Sequence, residues 1–337
     1  MKLLKIILIN LLVIFVILFL LEISFRIYNK IIGKSISDGF VIDDEKYGWS
    51  LNLNFKERPI KNKCGEEVIM KPPKHNLIIK FPKHEDAEKT VLFIGDSYTH
   101  AHEVSTGSAY HDVFEEMGKG KYRVFTAAVG GFGTLQQYMF LKDVYEEIKP
   151  DYIIWQMCSN DIENNVFELD NASFFNNQRR RPYYDLETEK IEIKNPGFWL
   201  FDLSQGFWFV FPKIVAFDHK YKLGLMKFMN SFVELDEESR KNYEKIGFEI
   251  TETLIKKVIN EYPESTLIGF SVNELYDEKF KDIFVKNGAH YWEGFAKFMA
   301  EHKNYNCVPY DAHWNHYGNV VAGKKIFELF EDSISEE

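Results

Sequence analysis

The longest apolar stretch of the chain comes first. From Ile6 to Leu21 every residue but Asn10 is apolar, and Leu3, Leu4, Ile23 and Phe25 carry the pattern past Lys5 and Glu22. A membrane-spanning helix needs roughly 20 apolar residues. The run therefore predicts an uncleaved, single-pass transmembrane anchor over residues 1–34 if Lys5 and Glu22 snorkel to the interfaces. A cleaved signal sequence is the rival, but Leu20-Leu21-Glu22-Ile23-Ser24-Phe25 offers no small-residue cleavage site. Lys2 and Lys5 stand on one side of the run and Arg26, Lys30 and Lys34 on the other, so charge leaves the orientation open. Residues 35–89 are irregular, with short alternating pieces such as Asn76–Lys80 broken by Pro59, Pro72, Pro73 and Pro82. They read as a juxtamembrane segment with a few strands.

From Thr90 onward the period changes. Thr90–Gly95, Tyr122–Val129, Asp151–Met157 and Thr266–Val272 are short, almost continuous apolar runs that suit buried parallel strands. Asn306–Tyr310 reads as a fifth. Between and after them, Ala109–Met117, Leu135–Ile148, Arg240–Tyr262, Ala289–His302 and His316–Phe330 read as helices. Strands alternating with helices predict an α/β domain over 90–333, with a doubly wound parallel sheet of about five strands covered on both faces. Residues 163–239 interrupt the alternation and are too long for an ordinary loop. They read as an inserted aromatic cap, containing Phe174-Phe175, Arg179–Arg181 and the run Phe198–Phe211.

Composition narrows the class. The 337 residues include 30 Phe, 18 Tyr and 6 Trp, which promise a large aromatic core. The net charge is −10, and the basic excess of the first 34 residues leaves the body more acidic still, which excludes general nucleic-acid binding. Three cysteines make no disulfide framework, and their odd number leaves at least one thiol unpaired or intermolecular.

Ligands of a doubly wound sheet sit at the carboxyl ends of its strands. Four such ends carry polar or glycine-rich loops: Gly95-Asp96-Ser97-Tyr98, Gly130-Gly131-Phe132-Gly133-Thr134, Cys158-Ser159-Asn160-Asp161 and Asp311-Ala312-His313-Trp314-Asn315. They supply a nucleophile, a base, an orienting acid and oxyanion donors, the set that acyl transfer through a covalent ester needs.

In this order and context the four blocks resemble those of the SGNH (GDSL-type) hydrolases, over residues 90–330. The resemblance implies a flavodoxin-like SGNH fold and a serine esterase or O-acetyltransferase that needs no cofactor or metal. Ser97 would be the nucleophile, His313 its base and Asp311 the orienting acid. The oxyanion would rest on the Ser97 and Gly131 backbone N–H groups and the Asn160 amide, with Asp96, Tyr98, Trp314 and Asn315 near the substrate. Two departures stand out. Asp311 precedes His313 by two residues rather than the family's common three, and Cys158 replaces a usual Gly. The Asp-x-His-Trp form is similar to the polysaccharide O-acetyltransferase branch. Anchor and family together imply a catalytic domain outside the cytoplasm, acting on an acylated carbohydrate or a lipid.

Each feature also has a plainer meaning. Asp96-Ser97 could only cap a helix, Asn160 and Asp161 could be turn residues, and His313 a structural imidazole beside Trp314. His100, His102 and His316 are expected at the pocket entrance rather than on a metal, and Cys158 as a small buried residue. The aromatic run Phe198–Phe211 is open between a lid, a bilayer contact and core packing. Arg179–Arg181 is open between a solvated run and an anion-attracting site.

Overall fold

The computed structural model describes residues 2–32, 39–172, 180–195, 233–308 and 311–335, with scattered positions between 214 and 225. The cap run Phe198–Phe211 and Arg179 lie outside the described residues.

Helix α1 (Lys2–Ile32) leads the chain, with Leu12, Phe15 and Leu18 among its exposed apolar side chains. Two small antiparallel pairs follow, β1 (Val41–Asp44) with β2 (Gly48–Leu51) and β3 (Arg58–Lys61) with β4 (Glu67–Met70). Then come β5 (Ile78–Lys80), β6 (Lys89–Gly95), α2 (Ser97–His100), α3 (Tyr110–Gly118), β7 (Tyr122–Ala128), α4 (Thr134–Ile148) and β8 (Tyr152–Met157). Short helices α5 (Asn160–Asn165) and α6 (Phe167–Asn171) and the hairpin β9 (Arg181–Tyr184) and β10 (Ile191–Lys194) belong to the cap region. The chain ends with α7 (Glu237–Glu261), β11 (Thr266–Ser271), α8 (Asp277–Lys286), β12 (His290–Trp292), α9 (Phe295–Ala300) and α10 (His316–Ser335).

The main sheet has six strands in the order β12-β11-β8-β6-β7-β5, all parallel except β5 at the edge. Residues of β6 alternate between two cores, as a sheet covered on both faces requires. Leu92 and Ile94 join Trp155, Leu254 and Phe280 on one side, while Val91 and Phe93 join Phe114, Phe270 and Ile326 on the other. Fully burying one such side chain contributes about 1.5–3 kcal/mol, so the sheet is a stiff platform for its loops. From β6 the chain moves one way to β7, then crosses back past β6 to β8. The crevice of this reversal opens at the carboxyl end of β6.

One expectation is corrected. Asn306–Tyr310 is not a fifth sheet strand: Asn306 makes only an isolated bridge to Trp314, and residues 309 and 310 lie outside the described residues. The fifth parallel strand is β12, read above as the start of a helix. Gly288 and Gly294, both at positive φ, confine it to a few residues before α9 begins. Residues 39–89, expected to hold a few strands, contribute both to the core and to the main sheet. Tyr47, Trp49, Leu51 and Phe55 are buried in the first core, and β5 completes the sheet edge. Among the described residues no helix is long and apolar enough to cross a membrane; the run Ile6–Leu21 lies on α1, some of whose side chains fall outside that description.

Candidate active site

The nucleophile position is built by the turn from β6 into α2. A Cβ on Gly95 would stand 2.2 Å from Thr99 Oγ1 and 2.4 Å from Gln156 Oε1, so only glycine lets the turn fold back so tightly. Asp96 caps α2 by accepting from Tyr98 N–H at 3.1 Å. Ser97, half-buried on the first residue of α2, lies 2.7 Å through its Oγ from His313 Nε2.

On the other side of the imidazole, Nδ1 bonds to Asp311 Oδ1. That bond places the Nδ1 proton toward the carboxylate and leaves Nε2 to accept the Ser97 hydroxyl proton. The same Oδ1 accepts the His313 backbone N–H at 2.8 Å. The two-residue spacing therefore forms an Asx-type turn around Ala312, which explains why the shorter spacing still brings acid and base together. Asp311 Oδ2 pairs with Lys63 Nζ from the β3–β4 turn. Burial pushes the Asp311 carboxyl up, but hydrogen bonds from His313 and Lys63 hold it well below the usual carboxylate range. For His313, burial works downward, yet the Asp311 hydrogen bond and the charges of Glu103, Asp311 and Asp96 leave the imidazole raised above 6.5.

The loop carrying these two residues is held by its own backbone and by the segment from the amino-terminal half. Cys307 N–H donates to His313 C=O at 3.1 Å, and Asp311 N–H to Cys307 C=O at 3.1 Å. Cys307 is disulfide-bonded to Cys64, next to Lys63. Tyr98 O–H donates to Ala312 C=O at 3.2 Å, and its ring lies 4.7 Å from the His313 ring.

The turn after β7 faces Ser97 from the neighbouring strand. A Cβ on Gly130 would come within 3.7 Å of Ser97 Cβ, and Gly131 has φ +83°, a left-handed conformation suited to glycine. Gly130 is fixed at both ends: its C=O accepts from Trp49 Nε1 at 3.1 Å and its N–H donates to His100 Nδ1 at 3.1 Å. The Ser97 and Gly131 N–H groups have no acceptor among the described residues. Asn160 is brought to the same edge, but its Nδ2 donates at 3.3 Å to Asp96 Oδ2 and at 3.2 Å to Asn164 Oδ1.

Three of the four residues expected near substrate are structural here. Asp96 is 0% exposed, and burial raises its carboxyl pKa. Trp314 is 2% exposed and packs edge-on against Tyr98 and Tyr110. Asn315 caps α10 by accepting from Gly318 N–H, while its amide holds Asn304 and Asn306 carbonyls. Only Tyr98 touches the triad itself. His100 is likewise not at the entrance: it is buried, and burial lowers its pKa to about 3, so it accepts from Gly130 as a neutral imidazole. His100 and His102 lie against Phe40, and His316 is exposed on α10.

Cys158 is a free, buried thiol that burial pushes well up in pKa; its N–H donates to Asp161 Oδ2 at 2.7 Å. Arg181 corrects both readings of its run, since it is buried in an ion pair with Asp170 at 2.8 Å and lies over Trp49. Glu103, Asp311 and His313 bring ligand atoms within 4.8 Å of one another. Lys63 already meets the charge of Asp311 there, and His313 Nδ1 is committed to Asp311, which leaves the cluster poorly suited to a metal. Trp49, Lys63 and Glu103 were not singled out by sequence, and His100 only as a residue of the pocket entrance. The one signal was local: Glu103 follows Ser97 by six positions.

No protein-family model matches the chain, and no curated protein matches it. Among solved structures it is similar to the psychrotrophic esterase EstA from Pseudoalteromonas sp., at 10% identity and TM-score 0.43, over 74% of this chain and 100% of that one. It is also similar to the lipase/acylhydrolase from Enterococcus faecalis, at 11% identity and TM-score 0.39, over 73% and 96% of the two chains. A third is a mutant of Axe2, an acetyl-xylooligosaccharide esterase from Geobacillus stearmophilus, at 13% identity and TM-score 0.37, over 74% and 94%.

Proposed function

We propose that the chain is a membrane-anchored serine acyl esterase or O-acetyltransferase acting on an acylated glycan outside the cytoplasm. The observation that carries the chemistry is the hydrogen-bonded series Ser97–His313–Asp311 beside two backbone N–H groups without acceptors. Ser97 Oγ attacks the ester carbonyl carbon as His313 Nε2 takes the hydroxyl proton. The resulting oxyanion rests between the Ser97 and Gly131 N–H groups, and Asn160 exchanges its long bonds to Asp96 and Asn164 for a third contact. Collapse breaks the ester C–O bond, and the leaving alcohol receives the proton from His313. Water, or a sugar hydroxyl in transfer, then attacks the acyl-serine with His313 again as base, and Ser97 is restored. Asp311 holds the imidazole in the correct tautomer and stabilises the imidazolium.

Location rests on two observations. Helix α1 has 31 residues, a length of about 46 Å against a hydrocarbon core of about 30 Å. The Cys64–Cys307 disulfide suits an oxidising compartment. A glycan is favoured over a lipid by the Asp311-x-His313-Trp314 form. The test is hydrolysis of aryl esters of two to eight carbons by the full-length protein in detergent. Acetyl preference is expected, with Ser97→Ala and His313→Ala each losing at least about a thousand-fold at unchanged melting temperature. A rate that rises steadily with chain length would favour a lipid, since each buried methylene contributes about 0.8 kcal/mol. Full turnover in either variant would overturn the triad, whereas no turnover by the wild type would leave a catalytically idle glycan-binding scaffold.

A further inference from the structure

A carboxylate that the proposed chemistry does not use lies beside its base. Glu103 Oε1 is 3.9 Å from His313 Nδ1, the atom that Asp311 holds, and the Glu103 side chain is 9% exposed. The residue is fixed from outside its own loop. Its backbone C=O accepts from Asn62 Nδ2 at 2.7 Å, and the next residues are stitched to β4, with Ile69 N–H on Ser105 Oγ and Thr106 N–H on Ile69 C=O, both at 3.0 Å. Its carboxylate makes no hydrogen bond to another side chain among the described residues; the charged groups facing it are His313, Asp311 and Lys63. A carboxylate buried at this level is costly; its own backbone N–H gives it one hydrogen bond, and the cations it faces are the imidazole and Lys63.

We propose that Glu103 is a second acidic partner of His313, a positioning residue that shares with Asp311 the stabilisation of the imidazolium, with Lys63 balancing the two carboxylates. The proposal rests on His313 acting as the base. Burial, with the Asp311 charge beside it, holds the Glu103 carboxyl above its ordinary value against the pull of His313 and Lys63. The arrangement makes the base tolerant of losing Asp311: a shift of about 1 Å would carry Glu103 Oε1 to hydrogen-bond distance of Nδ1.

The test is the pH profile of kcat/KM on an aryl acetate for the full-length protein and its variants. Glu103→Gln removes a negative charge near the imidazole, so its acid limb is expected about one pH unit or more lower than wild type. Lys63→Met removes a positive charge and moves the limb the opposite way, which serves if Glu103→Gln does not fold. Asp311→Asn is expected to lose about a hundred-fold rather than the roughly ten-thousand-fold known where one carboxylate alone serves the imidazole. Asp311→Asn with Glu103→Gln then loses at least a further ten-fold. An unmoved acid limb in a folded Glu103→Gln, with equal rates for Asp311→Asn and the double variant, would overturn the proposal. Turnover surviving in Ser97→Ala would instead overturn the triad itself.

Discussion

One carboxylate at Asp311 meets three positive or polar hydrogens: the His313 ring, the His313 backbone and the Lys63 ammonium. Of these contacts it is the Asp311 bond to the ring, with the charges of Glu103, Asp311 and Asp96, that keeps the imidazole basic against its burial. Because the folded-state pKa of His313 is raised above 6.5, and attack needs Nε2 unprotonated, activity is expected to fall as pH drops through a value above 6.5. A kcat/KM profile with its acid limb below 6.5 would contradict that assignment. At this scale the sequence was partly legible. Ser97, His313 and Asp311 were readable because each follows a recognisable loop, and the short Asp311-to-His313 spacing is resolved by the Asx turn. The burial of Asp96 and Trp314 was not readable, because a motif says which residues gather, not which of them are covered. Nothing in a linear reading could bring Trp49 or Lys63 to a site built 80 or 250 positions later.

Among the elements, the 301–316 loop and the β3–β4 hairpin act as one unit. The hairpin supplies Lys63 and Cys64, and the loop supplies Cys307, Asp311 and His313. Replacing both half-cystines by serine is expected to cost about 2–4 kcal/mol of stability and to lower kcat/KM, since the loop's hold on His313 loosens. Unchanged melting temperature and turnover would show that the backbone bonds of the loop suffice alone. The four long strands were legible from their almost continuous apolar runs. β12 was not, because three residues carry no period, while β5 falls within the alternating piece Asn76–Lys80 and only its place at the edge of the main sheet was unreadable. The pairing of two of three cysteines could not be read from number alone.

For the whole molecule, the sheet's reversal at β6 gathers residues from Ser97 to His313 at one edge, while residues 39–89 wrap that edge and close it. The sequence divided the chain into anchor, linker and catalytic domain. Within the expected linker, Tyr47, Trp49 and Leu51 are core residues whose burial only tertiary contact reveals. If α1 is the anchor, the full-length protein stays with membranes through a high-pH carbonate wash; release into the supernatant would contradict it. The central claim is that Ser97 is an activated nucleophile, and labelling by a fluorophosphonate probe tests it most directly. The probe forms a covalent bond only with a serine oxygen that has a base and an oxyanion site beside it. Wild-type protein is expected to label stoichiometrically and Ser97→Ala not at all. Absent labelling of the wild type, or labelling that persists in Ser97→Ala, would contradict the account.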